Sequence, residues 1–338
     1  MNILVTGGAG YIGSIVTEQL LKEGHTVVVV DDLSTGHREA VSPDALFREG
    51  DFGDTILIHD VISEHKIEAV MHFAGETLVG KSMTDPQAYF QTNVRKGMDF
   101  LDTLLENGVR KFIFSSTAAV YGEPISCPIS EDHPMRPINA YGESKLMFER
   151  ILEWYRRAYG ILYAAPRYFN AAGATPDYGE YHTPETHLIP LLMQSIVDPS
   201  YTFIIHGDDY ATPDGTCVRD YVHVLDIAQA HILALHSLDE GSFYGAFNIG
   251  SSTGYSVREV LRVMEEVTGK DVRFRVGPRR QGDPAVLVAS QERLQRELRW
   301  QPRFSSLESI IGSAWEWRRR YPQGYVGVRA KPEVVTQE

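Results

Sequence analysis

Tyr141 and Lys145 stand four residues apart in the stretch Ala140-Tyr141-Gly142-Glu143-Ser144-Lys145. In a helix that spacing puts both side chains on one face. A tyrosine is a weak base, its phenol titrating near ~10, and bringing it to neutrality takes roughly 4 kcal/mol of differential stabilisation. A neighbouring ammonium acts in that direction by favouring the phenolate. The chemistry on offer is therefore proton transfer to and from a hydroxyl. A hydroxyl partner lies 24 residues upstream, in Phe114-Ser115-Ser116-Thr117-Ala118-Ala119-Val120-Tyr121-Gly122. Thr117 at a strand end can hydrogen-bond both the tyrosine and a substrate hydroxyl. A bare Tyr-x-x-x-Lys is common on helix surfaces, so the elements around it must decide.

Those elements alternate. Ile3-Leu4-Val5-Thr6 reads as a buried strand, Tyr11 to Lys22 as a helix ending before Gly24, and Thr26-Val27-Val28-Val29-Val30 as a strand covered on both faces. Further strands are expected at Leu46 to Glu49, Ala69 to Phe73, Lys111 to Ser115 and Tyr163 to Phe169, with helices around 54–64, 87–107 and 140–159. The pattern predicts an α/β fold: a Rossmann-type doubly wound parallel sheet with a smaller mixed α/β C-terminal lobe. Residues 1–170 would form the first domain, with a return segment at about 218–238, and 171–217 and 239–338 the second lobe. In that lobe helices are expected near 188–197, 256–268, 291–298 and 305–320, and strands near 201–205 and 272–276, while the return segment would hold a strand at 222–224 and a helix at 226–236. The tail from about Val326 has little hydrophobic pattern.

The 338 residues, with 43% hydrophobic and 23% charged content, suit a soluble globular protein of two lobes or one large α/β domain. A net charge of −13 argues against nucleic acid as the main partner. Cys127 and Cys217 do not suggest a disulfide framework, and fit a reducing compartment. The first residues show no basic region or long apolar span, so neither a signal peptide nor a membrane helix is expected, and the location expected is the cytoplasm.

Thr6-Gly7-Gly8-Ala9-Gly10-Tyr11-Ile12-Gly13 follows the first strand and opens the first helix, the context of a dinucleotide-binding loop. Gly8 permits the turn, Gly10 the approach of a pyrophosphate, and Gly13 close helix–strand packing. The helix start supplies free N–H groups for the phosphates. Asp31, at the end of the second strand, can accept from both ribose hydroxyls and would repel a 2′-phosphate, which favours NAD over NADP. Asp32 strengthens that preference and Arg38 opposes it. Gly50-Asp51-Phe52 and Phe73-Ala74-Gly75 end the third and fourth strands, where an acid and small residues meet the cofactor. An oxidised nicotinamide would add a second positive charge near Tyr141.

Taken together, these motifs resemble the extended short-chain dehydrogenase/reductase superfamily and, within it, the nucleotide-sugar 4-epimerases. The resemblance runs nearly full length. It rests on the segments above, on Asp31 to Leu33, on Tyr141 to Lys145, and on Arg167-Tyr168-Phe169-Asn170. Three segments of the second lobe complete it: His187-Leu188-Ile189-Pro190, Gly215 to Tyr221, and Gly277 to Asp283. It implies reversible epimerisation at C4 of UDP-glucose and UDP-galactose through a 4-keto intermediate, with tightly bound NAD. Tyr141 would take the proton of the 4-hydroxyl with Thr117 assisting, and Lys145 would lower the phenol and hold the nicotinamide ribose. The implied cofactor contacts are Gly7, Gly10, Tyr11, Ile12, Asp31, Asp32, Leu33, Ser34, Thr35, Gly36, Asp51, Phe52, Phe73, Ala74, Gly75, Thr77, Thr92, Tyr141, Lys145 and Phe169. The implied substrate contacts are Thr117, Asn170, His187, Leu188, Ile204, His206, Arg219, Arg280 and Asp283, the two arginines matching a diphosphate.

The chain departs from the pattern at Thr77, where many members carry lysine, at Thr92, where some carry asparagine, and at Thr117, where some carry serine. Leu287 stands where the residue controls room for a 2-acetamido group, and leucine is intermediate between those that admit UDP-GlcNAc and those that exclude it. A 4,6-dehydratase needs an acid pair directly after the active-site hydroxyl, and Ala118 and Ala119 donate nothing. Ala119 argues likewise against a uronate decarboxylase. A UDP-uronic acid 4-epimerase uses the same tyrosine and lysine, with an added cation near C6. A non-catalytic NAD-binding regulatory protein generally lacks one of the pair. The resemblance further implies a homodimer through the helices near 87–107 and 140–159.

Overall fold

A computed structural model describes residues 1–280 and 283–326. Strands β1 (Asn2–Thr6), β2 (Thr26–Asp31), β3 (Leu46–Glu49), β4 (Ala69–His72), β5 (Lys111–Phe114), β6 (Ser116–Thr117) and β7 (Leu162–Tyr168) come first. They are followed by β8 (Asn170–Ala172), β9 (Phe203–His206), β10 (Val218–His223), β11 (Gly245–Ile249), β12 (Gly254–Ser256), β13 (Phe274–Gly277) and β14 (Val286–Leu287). The main sheet runs β11-β7-β5-β4-β1-β2-β3 with β6 also on β7, and every pairing is parallel.

The apolar strands bury both faces, as period-two alternation requires. Ile3, Val5, Val27 and Val29 enter one core with Ile15, Val16, Leu20, Ile227 and Leu235, from the helices Tyr11–Lys22 and Val224–Glu240. Leu4, Val28 and Val30 enter the other with Val61, Phe100 and Phe148, from the helices Thr55–His65, Gly97–Glu106 and Ala140–Tyr159. Strand order reverses at β1, so the carboxyl ends of β1 and β4 open the crevice in which such sheets bind ligands.

A second sheet, β12-β10-β14 with β8 on β10, and the pair β13-β9 lie outside the main sheet. They share a core containing Leu192, Ile205, Tyr221, Val260, Met264 and Ile310. The sheets divide the chain differently from the boundaries at 170, 218 and 239. β10 leaves the main sheet, and β11 at Gly245–Ile249 extends it beyond the 218–238 segment.

The continuous helix expected at 87–107 is a π-helical segment, Phe90–Lys96, between the α-helices Pro86–Tyr89 and Gly97–Glu106. The strand expected to include Ser115 breaks there, Lys111–Phe114 being separated from Ser116–Thr117. Among the described residues no helix is long and apolar enough to cross a membrane, and Cys127 and Cys217 are free thiols. The tail after Val326, and Gln281 and Gly282 of the 277–283 motif, lie outside the described residues.

Candidate active site

Thr117 closes β6, and its Oγ1 accepts the Ala119 N–H at 3.1 Å, which starts the short turn Ala118–Val120. The helix Ala140–Tyr159 begins at Asn139, whose side chain accepts the Gly142 N–H at 2.8 Å. Gly142 rests on the Ala118 turn: a Cβ there would stand 2.5 Å from the Ala119 carbonyl oxygen. Only a residue without a side chain lets the helix start approach so closely. This contact sets the Thr117 hydroxyl beside Tyr141, close enough to oppose the rise that burial gives the phenol pKa.

One turn on, Lys145 is 2% exposed. Its Nζ donates to the Ser115 carbonyl oxygen at 3.0 Å and lies 4.8 Å from the centre of the Phe114 ring. Burial lowers its pKa to about 8. Burial raises that of Tyr141, and the Thr117 hydroxyl opposes the rise. The lowering of the phenol that the sequence assigned to Lys145 is thus not what these groups produce by themselves. The ammonium is engaged by Ser115 and Phe114, and desolvation dominates at Tyr141. Tyr168 completes the neighbourhood, its hydroxyl bonded to Ser115 Oγ.

Asn93 is the residue that sequence reasoning missed. Its Oδ1 accepts the Glu76 N–H at 2.8 Å, and its Nδ2 donates to the Glu76 carbonyl and to Ser144 Oγ, each at 3.0 Å. It therefore ties the end of β4 to the Tyr141 helix. The wider turn of the π-segment carries Asn93 inward, while Thr92 beside it is only half-buried. The adjacent Thr92–Asn93 pair was the available signal. Thr77 is exposed.

A second missed feature lies behind Thr117. Arg167 Nε donates to Glu149 Oε1 at 2.9 Å, and Arg167 Nη1 to the Tyr121 hydroxyl at 2.8 Å. Ser116 Oγ donates to the same Glu149 oxygen at 2.5 Å, and Tyr121 to Asn248 Oδ1 at 2.7 Å. The Arg167 and Glu149 side chains are only 4% and 7% exposed, so each charge needs the other. Glu149 repeats the Tyr141–Lys145 spacing once more along the helix, an acid on its buried face.

Across the crevice the glycine loop is shaped by close approach. Gly7 has φ +75°, and a Cβ on it would stand 2.5 Å from Ala74 N; one on Gly13 would stand 2.2 Å from the Gly7 oxygen. The helix opening at Tyr11 and Ile12 starts at Gly10 with no side-chain cap and no acid in its first turn, leaving N–H groups for an anion. The Asp31 carboxylate accepts the N–H groups of Ala9 and Leu33, each at 2.9 Å, and burial raises its pKa. Asp32 accepts from Ser34 N at 2.9 Å, shaping the turn that leads through Thr35 and Gly36. Arg38 stacks 4.5 Å over the Phe47 ring. Asp51 pairs with Lys96, whereas the Phe52 ring is buried against His72 with centroids 4.8 Å apart. These residues fit a dinucleotide: a side-chain-free cradle, an uncapped helix start and a fixed carboxylate at the end of β2.

In the second lobe, Arg219 on β10 is ion-paired with Asp283. Arg280 lies near enough to His206 for its charge, after burial, to lower the histidine pKa. β9 and β13 hold this corner, with Ile204 opposite Arg275 and His206 opposite Gly277. Leu287 pairs with Arg219 in register and packs on the cluster of Val120, Tyr121 and Leu146 beneath the Tyr141 helix. Phe169, packed on the same cluster, and Asn170, paired with Tyr221, lead out of β7. His187 precedes the helix that Leu188 starts, and its imidazole is drawn to Glu180 and Glu185, 2.9 Å from each.

Residues 3–250 match the model of the NAD dependent epimerase/dehydratase family. A UDP-glucose 4-epimerase of Streptococcus mutans is 50% identical over 329 residues, 96% of this chain and 99% of that one. A crystal structure of a UDP-glucose 4-epimerase superposes with a TM-score of 0.94 at 47% identity, covering 96% of this chain and 99% of the other. The Brucella ovis UDP-glucose 4-epimerase in complex with NAD gives a TM-score of 0.90 at 42% identity, over 94% and 98% of the two chains. With one relationship spanning cradle, reaction centre and arginine corner alike, the chain belongs to the NAD dependent epimerase/dehydratase family, in its UDP-glucose 4-epimerase branch.

Proposed function

We propose that this chain interconverts UDP-glucose and UDP-galactose at C4 through a 4-keto sugar. The observation that carries this reading is the packing of the Tyr141 helix start on the Thr117 turn through Gly142, with Lys145 buried one turn on at the wall of a dinucleotide cradle. NAD, held by the glycine loop, Asp31 and Lys145, supplies the acceptor and the donor of the C4 hydride. Tyr141 holds the 4-hydroxyl proton at its phenol oxygen, and Thr117 Oγ1 aligns that hydroxyl. A cation near the phenol is required, because burial alone keeps it protonated. Lys145 would supply it, joined by the charge of the oxidised cofactor when that is bound.

Arg219 and Arg280 anchor the diphosphate while the sugar turns, with Asn170, Leu188, Ile204 and His206 around the nucleotide. The arriving diphosphate competes with Asp283 for Arg219. Ala118 and Ala119 offer no acid or base after Thr117, which confines the reaction to one carbon. The chain acts in the cytoplasm as a homodimer. Met98, Met147 and Trp154, exposed on the two helices beside the π-segment, are its contact face.

The test is conversion of UDP-galactose carrying deuterium at C4. Label retained in the UDP-glucose product is the expected result. Loss of the label to solvent, or solvent deuterium at C5 or C6, would replace this reading with an elimination.

A further inference from the structure

The segment joining β8 to the helix Leu188–Val197 brings two histidines and two glutamates to one point. Glu180, His182, Glu185 and His187 each present one ligand atom, and the four atoms lie within 4.8 Å of one another. We infer that these four residues bind a divalent transition-metal ion of the zinc class, through the Nδ1 edge of the same His187 that the family resemblance places at the substrate.

The geometry is that of a small polyhedron. His187 Nδ1 stands 2.9 Å from Glu180 Oε1 and 2.9 Å from Glu185 Oε1. His182 Nδ1 stands 3.5 Å from Glu180 Oε1 and 3.5 Å from Glu185 Oε2. Metal–ligand bonds of ~2.1 Å arranged tetrahedrally give ligand–ligand edges of about 3.4 Å. The two separations from His182 already have that length and the two from His187 need a few tenths of an ångström, with Glu185 turning a different oxygen to each histidine.

Two further observations call for a cation. The Glu180 and Glu185 side chains are only 8% and 16% exposed, although both are acids facing one centre. Unlike His187, His182 Nδ1 is shut off from solvent and makes no hydrogen bond, while aiming at both carboxylates. Two imidazoles and two carboxylates suit zinc rather than magnesium or calcium, which prefer oxygen alone.

Four protein ligands close the coordination sphere, so the ion is structural. It pins the segment 180–187 against the cofactor loop. The Tyr11 ring, at the start of the glycine-loop helix, meets His182 edge-on with centroids 6.3 Å apart, and its hydroxyl donates to the Gly173 oxygen at 2.6 Å. The ion also neutralises two carboxylates.

The untagged chain, stripped with a chelator, is titrated with zinc chloride by calorimetry against a competing chelator. One equivalent per chain is expected. His182→Ala and Glu185→Gln should each weaken binding by about 100-fold or more, since loss of an outer-sphere partner alone weakens metal sites 10–100-fold. His236→Ala, in the exposed cluster Glu23, His25 and His236, should leave it unchanged. Far-ultraviolet circular dichroism checks that the variants fold. Cobalt(II) loaded into the wild-type chain should give the intense visible bands of a tetrahedral site. Absence of zinc binding by wild type, undiminished binding by His182→Ala, loss of binding in His236→Ala alone, or the weak bands of octahedral cobalt would each overturn the inference.

Discussion

Lys145 illustrates how a reaction centre costs stability. Its folded pKa of about 8 lies below that of an unfolded lysine near ~10.4. The unfolded chain therefore binds more protons between those values, and stability rises with pH across that window. Below about pH 8 the penalty is present in full, roughly 3 kcal/mol. The Ser115 hydrogen bond and the Phe114 contact return part of it. Lys145→Met should be more stable than wild type at pH 7 by about 1–2 kcal/mol, after ~1 kcal/mol is subtracted for those contacts. The gain should shrink as pH climbs from 8 toward 10. Urea unfolding of both chains at pH 7 and pH 9.5 measures this; a destabilised Lys145→Met at pH 7 would contradict it. At this scale the types and spacing of Tyr141, Lys145 and Thr117 were legible in the sequence. The balance of forces on the phenol was not, because desolvation depends on packing that spacing does not encode.

At the scale of elements, the Thr117 turn is held by the pair Glu149–Arg167. Glu149→Ala leaves a guanidinium buried without its carboxylate, and Ser116 and Tyr121 share in the loss. The expected cost is about 3–5 kcal/mol of unfolding free energy, read by chemical denaturation. A change below ~1 kcal/mol would mean that water replaces the carboxylate. Glu149→Gln should recover part of the stability, since its amide oxygen still accepts from Arg167.

The main strands and helices were readable because both-face burial writes apolar runs. β10 and β11 were partly hidden by polar residues within them. Asp220 is fully buried in β10, and its carboxylate accepts the N–H groups of Ser251 at 2.7 Å and Ala289 at 3.0 Å. Asn248 is fully buried in β11, donating to the Ile129 oxygen at 2.9 Å and accepting from Tyr121. Long-range partners satisfy such residues, and a local window cannot find them. The π-segment Phe90–Lys96 departs from the 3.6-residue period of its flanking helices, so the apolar pattern does not point to Asn93 and only its adjacency to Thr92 does.

At the scale of the molecule, a parallel sheet offers a crevice at its carboxyl ends, and a second lobe meets the first through Leu287 on the cluster of Val120, Tyr121 and Leu146. The proposed dimer covers an apolar face that a monomer would leave wet: Trp154 is 67% exposed, and Met98 and Met147 are 39% and 36% exposed. Wild type should sediment as a dimer at micromolar concentration. Trp154→Glu should sediment as a folded monomer; an unchanged dimer would place the interface elsewhere. The proton-and-hydride centre is tested most directly by turnover of UDP-galactose by wild type and by Tyr141→Phe, which keeps the ring and removes only the oxygen that carries the proton. Wild type should form UDP-glucose, and the variant, binding NAD and UDP normally, should lose roughly 10²–10⁴-fold in kcat. Full activity in Tyr141→Phe would contradict the role of the phenol.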